Sequence, residues 1–117
     1  MSNDLPQSEV QKQRYLQQLQ QTIAALDQNK RALQVELDEV KDTLDELKPS
    51  KKGAVIYKQF GRLLIKSELT KIKKELTEKQ SSLENYVKRL DLQFKRAMKK
   101  LQEFQSKEKS DTLTLAE

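Results

Sequence analysis

Covalent chemistry has few candidates in this chain. Its 117 residues include no Cys and no His. That excludes a thiol nucleophile, an imidazole base, a zinc site of the usual kind and a disulfide. The side chains left to do work are ionic or apolar. The densest cationic run is Lys95, Arg96, Lys99 and Lys100, with Lys107 and Lys109 beyond it. Such a run can dock on an acidic surface, with an affinity that falls as salt rises. The plainer reading is a solvated helix face. Near the two chain ends lie Leu5, Val10, Tyr15, Leu16, Met98, Leu101 and Phe104. Exposed apolar groups there would suit weak, adaptable contacts, to which Met is well fitted. Gln11, Gln13, Gln17, Gln18, Gln20 and Gln21 read as a solvated helix surface, or as a polar lining from which a bound chain can dissociate. No group looks like a nucleotide site, and no cofactor or metal is expected.

The elements that position these residues follow from composition. Hydrophobic and charged residues each make up 35% of the chain, with two glycines and two prolines. An average domain is nearly half apolar and richer in turn residues, so long helices are expected rather than a many-looped globule. No stretch approaches the roughly 18 apolar residues of a membrane span. The opening MSNDLPQSEV lacks a basic start followed by an apolar run, so no secretory leader is expected. A soluble, cytoplasmic protein is the default. The net charge of +5 is uneven: −3 over 1–48, +4 over 49–68, +5 over 69–108 and −1 over 109–117. A basic balance permits nucleic-acid binding, but opposite signs on two long segments suit helices that pair with each other.

The first segment carries Leu16, Leu19, Ile23, Leu26, Lys30, Leu33, Leu37, Val40, Leu44 and Leu47 at alternating steps of 3 and 4. This is a coiled-coil seam, polar only at Lys30. Asp4 and Pro6 suit the start of its helix and Pro49 its end. The second seam reads Leu69, Ile72, Leu76, Gln80, Leu83, Val87, Leu90, Phe94, Ala97, Leu101 and Phe104, with a stutter at Leu76 that should unwind the supercoil locally. Ser67 makes a plausible N-cap. Folded back, the seams keep a constant index sum: Leu47 with Leu69, Leu33 with Leu83, Leu26 with Leu90 and Leu19 with Ala97. The expected fold is therefore mostly α, an antiparallel two-helix coiled coil with one β-hairpin at the connecting end. The boundaries are a helix at 8–48, a hairpin at 54–66, a helix at 67–108 and a flexible tail at 109–117. The acidic set Glu36, Asp38, Glu39, Asp42, Asp45 and Glu46 then lies near Lys71, Lys73, Lys74 and Lys79.

Residues 54–58 and 62–66 are two short apolar runs around Gln59-Phe60-Gly61, which reads as a three-residue hairpin loop. That reading pairs Tyr57 with Leu63, Val55 with Ile65 and Ile56 with Leu64. An isolated hairpin is marginal in water and leaves two unpaired edges. Pairing with hairpins of other subunits, ideally in a closed intersubunit β-barrel, removes them. A hairpin folded back on its own helix ends is the plainer alternative. The assembly residues are Val55, Ile56, Tyr57, Gly61, Leu63, Leu64 and Ile65.

With Val55-Ile56-Tyr57-Lys58, Gly61, Leu64-Ile65-Lys66 and Glu68-Leu69 between two coiled-coil arms, the chain resembles the β-type subunits of the prefoldin family over nearly its whole length. A single hairpin implies the β-type, because α-type subunits carry two. The resemblance implies one prefoldin-like domain over 1–117, in a hexamer of two α-type and four β-type subunits joined through hairpin barrels. It also implies an ATP-independent holdase that keeps unfolded client proteins between the coiled-coil tips and passes them to a group II chaperonin. The client-binding residues would be Leu5, Val10, Tyr15, Leu16, Met98, Leu101 and Phe104. Leu16, Leu101 and Phe104 are also seam residues, for which packing is the ordinary role. Val10, Tyr15 and Met98 lie off the seam, where a partly frayed end would expose them. Lys95, Arg96, Lys99 and Lys100 would dock the chaperonin. The chain departs from the family pattern at Pro49-Ser50-Lys51-Lys52, where many members have an acidic or neutral loop, and in a short C-terminal tail. Both bear on partner choice rather than fold. The competing function is a scaffolding coiled coil in a prefoldin-like assembly. A nucleic-acid binder lacks a motif, and an enzyme lacks a pocket with convergent polar groups.

Overall fold

The computed structural model describes the backbone of residues 8–116 and the side chains of residues 8–110. Four elements follow in order: helix α1 (Glu9–Leu47), strands β1 (Val55–Phe60) and β2 (Leu63–Glu68), and helix α2 (Leu69–Ala116). Asp4 and Pro6, offered as the start of α1, lie outside the described residues. The helix is instead opened by Ser8. Its Oγ accepts from the Gln11 backbone N–H at 3.1 Å, and the Gln11 side chain accepts from the Ser8 N–H at 3.3 Å. This reciprocal capping box satisfies two donors that a helix start would leave orphaned. Pro49 disfavours helical backbone at the residue before it, and α1 ends at Leu47.

The described residues divide into two compact units. The first joins α1 up to Arg31 with α2 from Lys88 onward. Its cross-helix contacts run antiparallel: Lys12 with Glu108 at 3.3 Å, Tyr15 on Phe104 at 5.0 Å between ring centres, and Lys30 with Asp91 at 3.2 Å. Every described seam position of this unit is buried or half-buried, Lys30 among them. Ala97 and Phe104 are the most shielded.

The second unit spans Ala32–Val87 and contains the hairpin. Leu37, Val40 and Leu83 form its core, with Leu33, Leu44, Leu76 and Val87 packed against them. Leu76 and Gln80, on either side of the stutter, stay half-buried. Across the helices Lys79 pairs with Glu36 at 3.1 Å, one member of the acidic and basic sets expected to face each other. Exposed pairs of this kind contribute about 0.2–1 kcal/mol, so the apolar seam dominates.

Three boundaries differ from the sequence reading. The hairpin register is Val55↔Glu68, Ile56↔Ser67, Tyr57↔Lys66, Lys58↔Ile65, Gln59↔Leu64 and Phe60↔Leu63. Phe60 therefore belongs to β1, and the connection is the two-residue turn Gly61-Arg62. Gly61 takes φ +56 and no non-glycine residue among those described has positive φ, which matches a type II′ turn with Gly at its first central position. The shift turns β2 over relative to β1. One face carries Ile56, Lys58, Phe60, Leu63, Ile65 and Ser67, and the other Val55, Tyr57, Gln59, Leu64, Lys66 and Glu68. Second, Ser67 is paired in the ladder rather than capping α2. Third, α2 is helical through to Ala116, past the end expected at 108; no Gly or Pro stands in 109–116 to stop it.

Candidate functional site

Two surfaces stand out, one in each unit. In the second unit it is the hairpin. Val55, Tyr57, Phe60, Leu63, Leu64 and Ile65 are all exposed, with Leu63 at 66% and Leu64 at 67%. Of the assembly residues expected from sequence, only Ile56 is half-buried. Phe60 is exposed beside them; the loop reading of Gln59-Phe60-Gly61 hid it. Lys58 covers part of one face, its ammonium 4.9 Å from the Phe60 ring centre and 3.3 Å from Glu75. A sheet of two strands with apolar side chains open on both faces is the kind of exposed surface that marks an interaction site.

In the first unit the surface is the end formed by the start of α1 and the later part of α2. Leu5 lies outside the described residues. Val10 and Met98 are exposed, at 58% and 42%. Tyr15 is half-buried, because its ring tilts against Phe104. Leu16 and Leu101 are half-buried and Phe104 is buried. Lys12 continues the seam backward, held by Glu108 at 3.3 Å and Glu9 at 3.8 Å. The described end is thus paired rather than frayed as far as Lys12. Leu92 is a further exposed apolar residue of this unit, outside the seam.

Lys95, Arg96, Lys99 and Lys100 are all exposed. Lys95 is engaged, 2.9 Å from Asp91. Asp91 also accepts from Lys30, whose ammonium lies 4.8 Å from the Phe94 ring centre. The hydrogen bond from Lys95, then that from Lys30, holds the Asp91 carboxyl below its ordinary value of 3.8, while partial loss of water works the other way. A carboxyl depressed in the folded state stabilises that state at neutral pH, and the contribution disappears as pH falls through the folded value. The melting temperature of the native chain should therefore drop more steeply below about pH 4 than that of Asp91→Asn, followed by helix ellipticity. Parallel curves would mean that the Lys30–Asp91–Lys95 cluster contributes nothing.

No group of three or more acidic side chains among the described residues is placed to hold a metal ion. Among the described residues no helix is long and apolar enough to cross a membrane.

Two long helix segments packed antiparallel in each unit, with a single two-stranded hairpin between them, define a one-hairpin coiled-coil subunit. Comparison with known proteins makes the class specific. A family model described as "Prefoldin subunit" matches residues 10–111. The chain is 40% identical over 93 residues to the prefoldin subunit beta of Thermococcus onnurineus, covering 80% of this chain and 77% of that one. It is 37% identical to the prefoldin subunit beta of Pyrococcus furiosus over the same length, 76% of that protein. The crystal structure of the prefoldin beta subunit from Thermococcus strain KS-1 superimposes with a TM-score of 0.81 at 34% identity, over 95% of this chain and 96% of that one. The chain belongs to the prefoldin family, and its relatives are β-type subunits. These are chaperone subunits that assemble with other prefoldin subunits; the family is not one of enzymes.

Proposed function

We propose that this chain is a β-type subunit of an ATP-independent holdase in the cytoplasm. Its hairpin joins α-type prefoldin subunits in a two-α, four-β hexamer through an intersubunit β-barrel. Its helix ends hold unfolded clients by many weak apolar contacts and pass them to a group II chaperonin. The observation that carries this reading is the hairpin, apolar and exposed on both faces. Left alone it would be marginal; closed into a barrel it loses its edges and buries those side chains. The client and chaperonin steps rest on the family resemblance together with the exposed Val10 and Met98 and the cationic run nearby.

Removing residues 1–12 and 102–117 tests the client step. The truncated chain should still assemble, because the hairpin and Leu37–Leu83 core are untouched. It should suppress aggregation of an unfolded client, measured by light scattering, far less than the full-length chain, since only the apolar groups within residues 13–101 remain. Undiminished suppression would remove the helix ends from client holding. Docking through Lys95, Arg96, Lys99 and Lys100 should show as a chaperonin affinity that weakens steadily with salt; a salt-independent affinity would contradict it.

The pairing of Tyr15 with Phe104 and of Lys12 with Glu108 favours a second reading, a scaffolding subunit with closed helix ends. Under it the assembled complex leaves client aggregation unchanged.

A further inference from the structure

The cationic run of α2 is one patch in sequence but two in space. Lys95 and Lys99 flank Met98 in a groove shared with Phe94 and Leu101. Arg96 and Lys100 border a different groove, between the helices of the first unit, whose apolar lining is Tyr15, Leu19, Leu26 and Ala97. The helical period explains the split: positions four apart share a face, whereas neighbours do not.

Ala97 explains the groove. It is a seam residue standing where the flanking seam positions hold Leu90, Phe94, Leu101 and Phe104. Leu19 and Leu26 line the groove with it and stay half-buried, while Ala97 itself is buried at its floor. The rim is cationic and lacks its counter-ions. No carboxylate lines the groove. The ion pairs among the described residues engage Lys12, Lys30, Arg31, Lys48, Lys58, Lys79 and Lys95, and neither Arg96 nor Lys100.

Spacing narrows the occupant. Arg96 and Lys100 are four residues apart, a rise of about 6 Å along the helix. In an extended peptide, alternate residues on one side are separated by about 6.6 Å. Two carboxylates at alternate positions match the two cations, and the residue between them points the other way, towards the Tyr15 and Leu19 wall. We propose that the Ala97 groove binds extended client segments in which carboxylates alternate with apolar residues. In that arrangement Arg96 and Lys100 take the carboxylates, and the apolar wall takes the side chain between. This deepens the client-holding reading and rests on it. It assigns Arg96 and Lys100 to the client and leaves Lys95 and Lys99 for chaperonin docking.

The test uses the full-length chain and three fluorescein-labelled peptides of identical length. One alternates Asp with Leu, one Asn with Leu and one Lys with Leu. By fluorescence anisotropy the Asp peptide should bind at least roughly tenfold tighter than the Asn peptide, as expected for two charge-assisted contacts. That margin should vanish in Arg96→Glu/Lys100→Glu. It should persist in Lys71→Glu/Lys74→Glu, which changes the net charge equally at two exposed lysines of the other unit. Equal binding of the Asp and Asn peptides, or equal losses in the two charge variants, would overturn the proposal. So would a loss of chaperonin affinity in Arg96→Glu/Lys100→Glu with peptide binding intact. Aggregation assays separate this from the broader reading. If that variant protects an acidic client as well as the native chain while the truncated chain does not, the groove fails and client holding at the helix ends stands. If the truncated chain also protects, client holding at the ends fails.

Discussion

Leu63→Asp/Ile65→Asp should abolish assembly with partner subunits while leaving both helices folded. Leu63 and Ile65 are two apart on β2 and share a face with Phe60 and Ile56. Fully burying a side chain of this size stabilises by about 1.5–3 kcal/mol, so the exposed side chains of one hairpin can contribute several kcal/mol to an interface. Asp reverses that sign, because an unpaired carboxylate in an apolar interface is strongly unfavourable. The helices lose nothing, since Leu63 and Ile65 are exposed in the isolated chain. Size-exclusion chromatography with multi-angle scattering, alongside helix ellipticity, checks both halves. Intact assembly in the double variant would remove the hairpin from subunit contacts. Unfolded helices would mean that the hairpin supports the coiled coil rather than the assembly.

The second large effect falls on the core. Leu37 is the most shielded side chain described, yet it retains 3% of its surface, and no described side chain falls below 2%. A pair of helices has one seam and no second layer, so each seam residue carries a large share of the stability. Leu37→Ala should cost about 2–5 kcal/mol, against the roughly 5–15 kcal/mol that folded proteins commonly hold. The melting temperature should fall by at least about 10 °C. Val35 lies two positions away on the same helix but is 58% exposed. Val35→Ala should stay within about 0.5 kcal/mol of the native chain. Equal shifts in the two variants would mean that the seam is not where stability resides.

The seam was legible because its period leaves no freedom. Once steps of 3 and 4 recur from Leu16 to Leu47, the helix geometry decides which side chains face the partner, and all of them are shielded. The hairpin was legible as a hairpin because Gly61 sits between two apolar runs and Pro49 and Gly53 precede them. Its register was not. A glycine can end a three-residue loop or open a two-residue turn, and the composition around Phe60 suits both. Both conformations need positive φ at the glycine; the pairing of Phe60 with Leu63 decides for the two-residue turn. Ser67 misled for a related reason. A Ser before a helical run is an N-cap only if its backbone is free, and here the strand ladder runs directly into α2. The capping box Ser8-Glu9-Val10-Gln11 was present in the sequence, where a Gln three residues after a Ser satisfies donors on both sides. At the helix ends, Tyr15 looked exposed because it falls off the seam; an aromatic ring is long enough to reach Phe104 from the neighbouring position. Lys95, Arg96, Lys99 and Lys100 read as one cationic run in the sequence; their division between two grooves shows only in the packed helices.

The central claim is that the hairpin makes this chain one part of a mixed assembly. Native mass measurement of the full-length chain, alone and mixed with an α-type prefoldin subunit, tests it most directly. The mixture should give a single species of two α-type and four β-type chains. Separate α-type and β-type species, with no mass containing both chains, would contradict it.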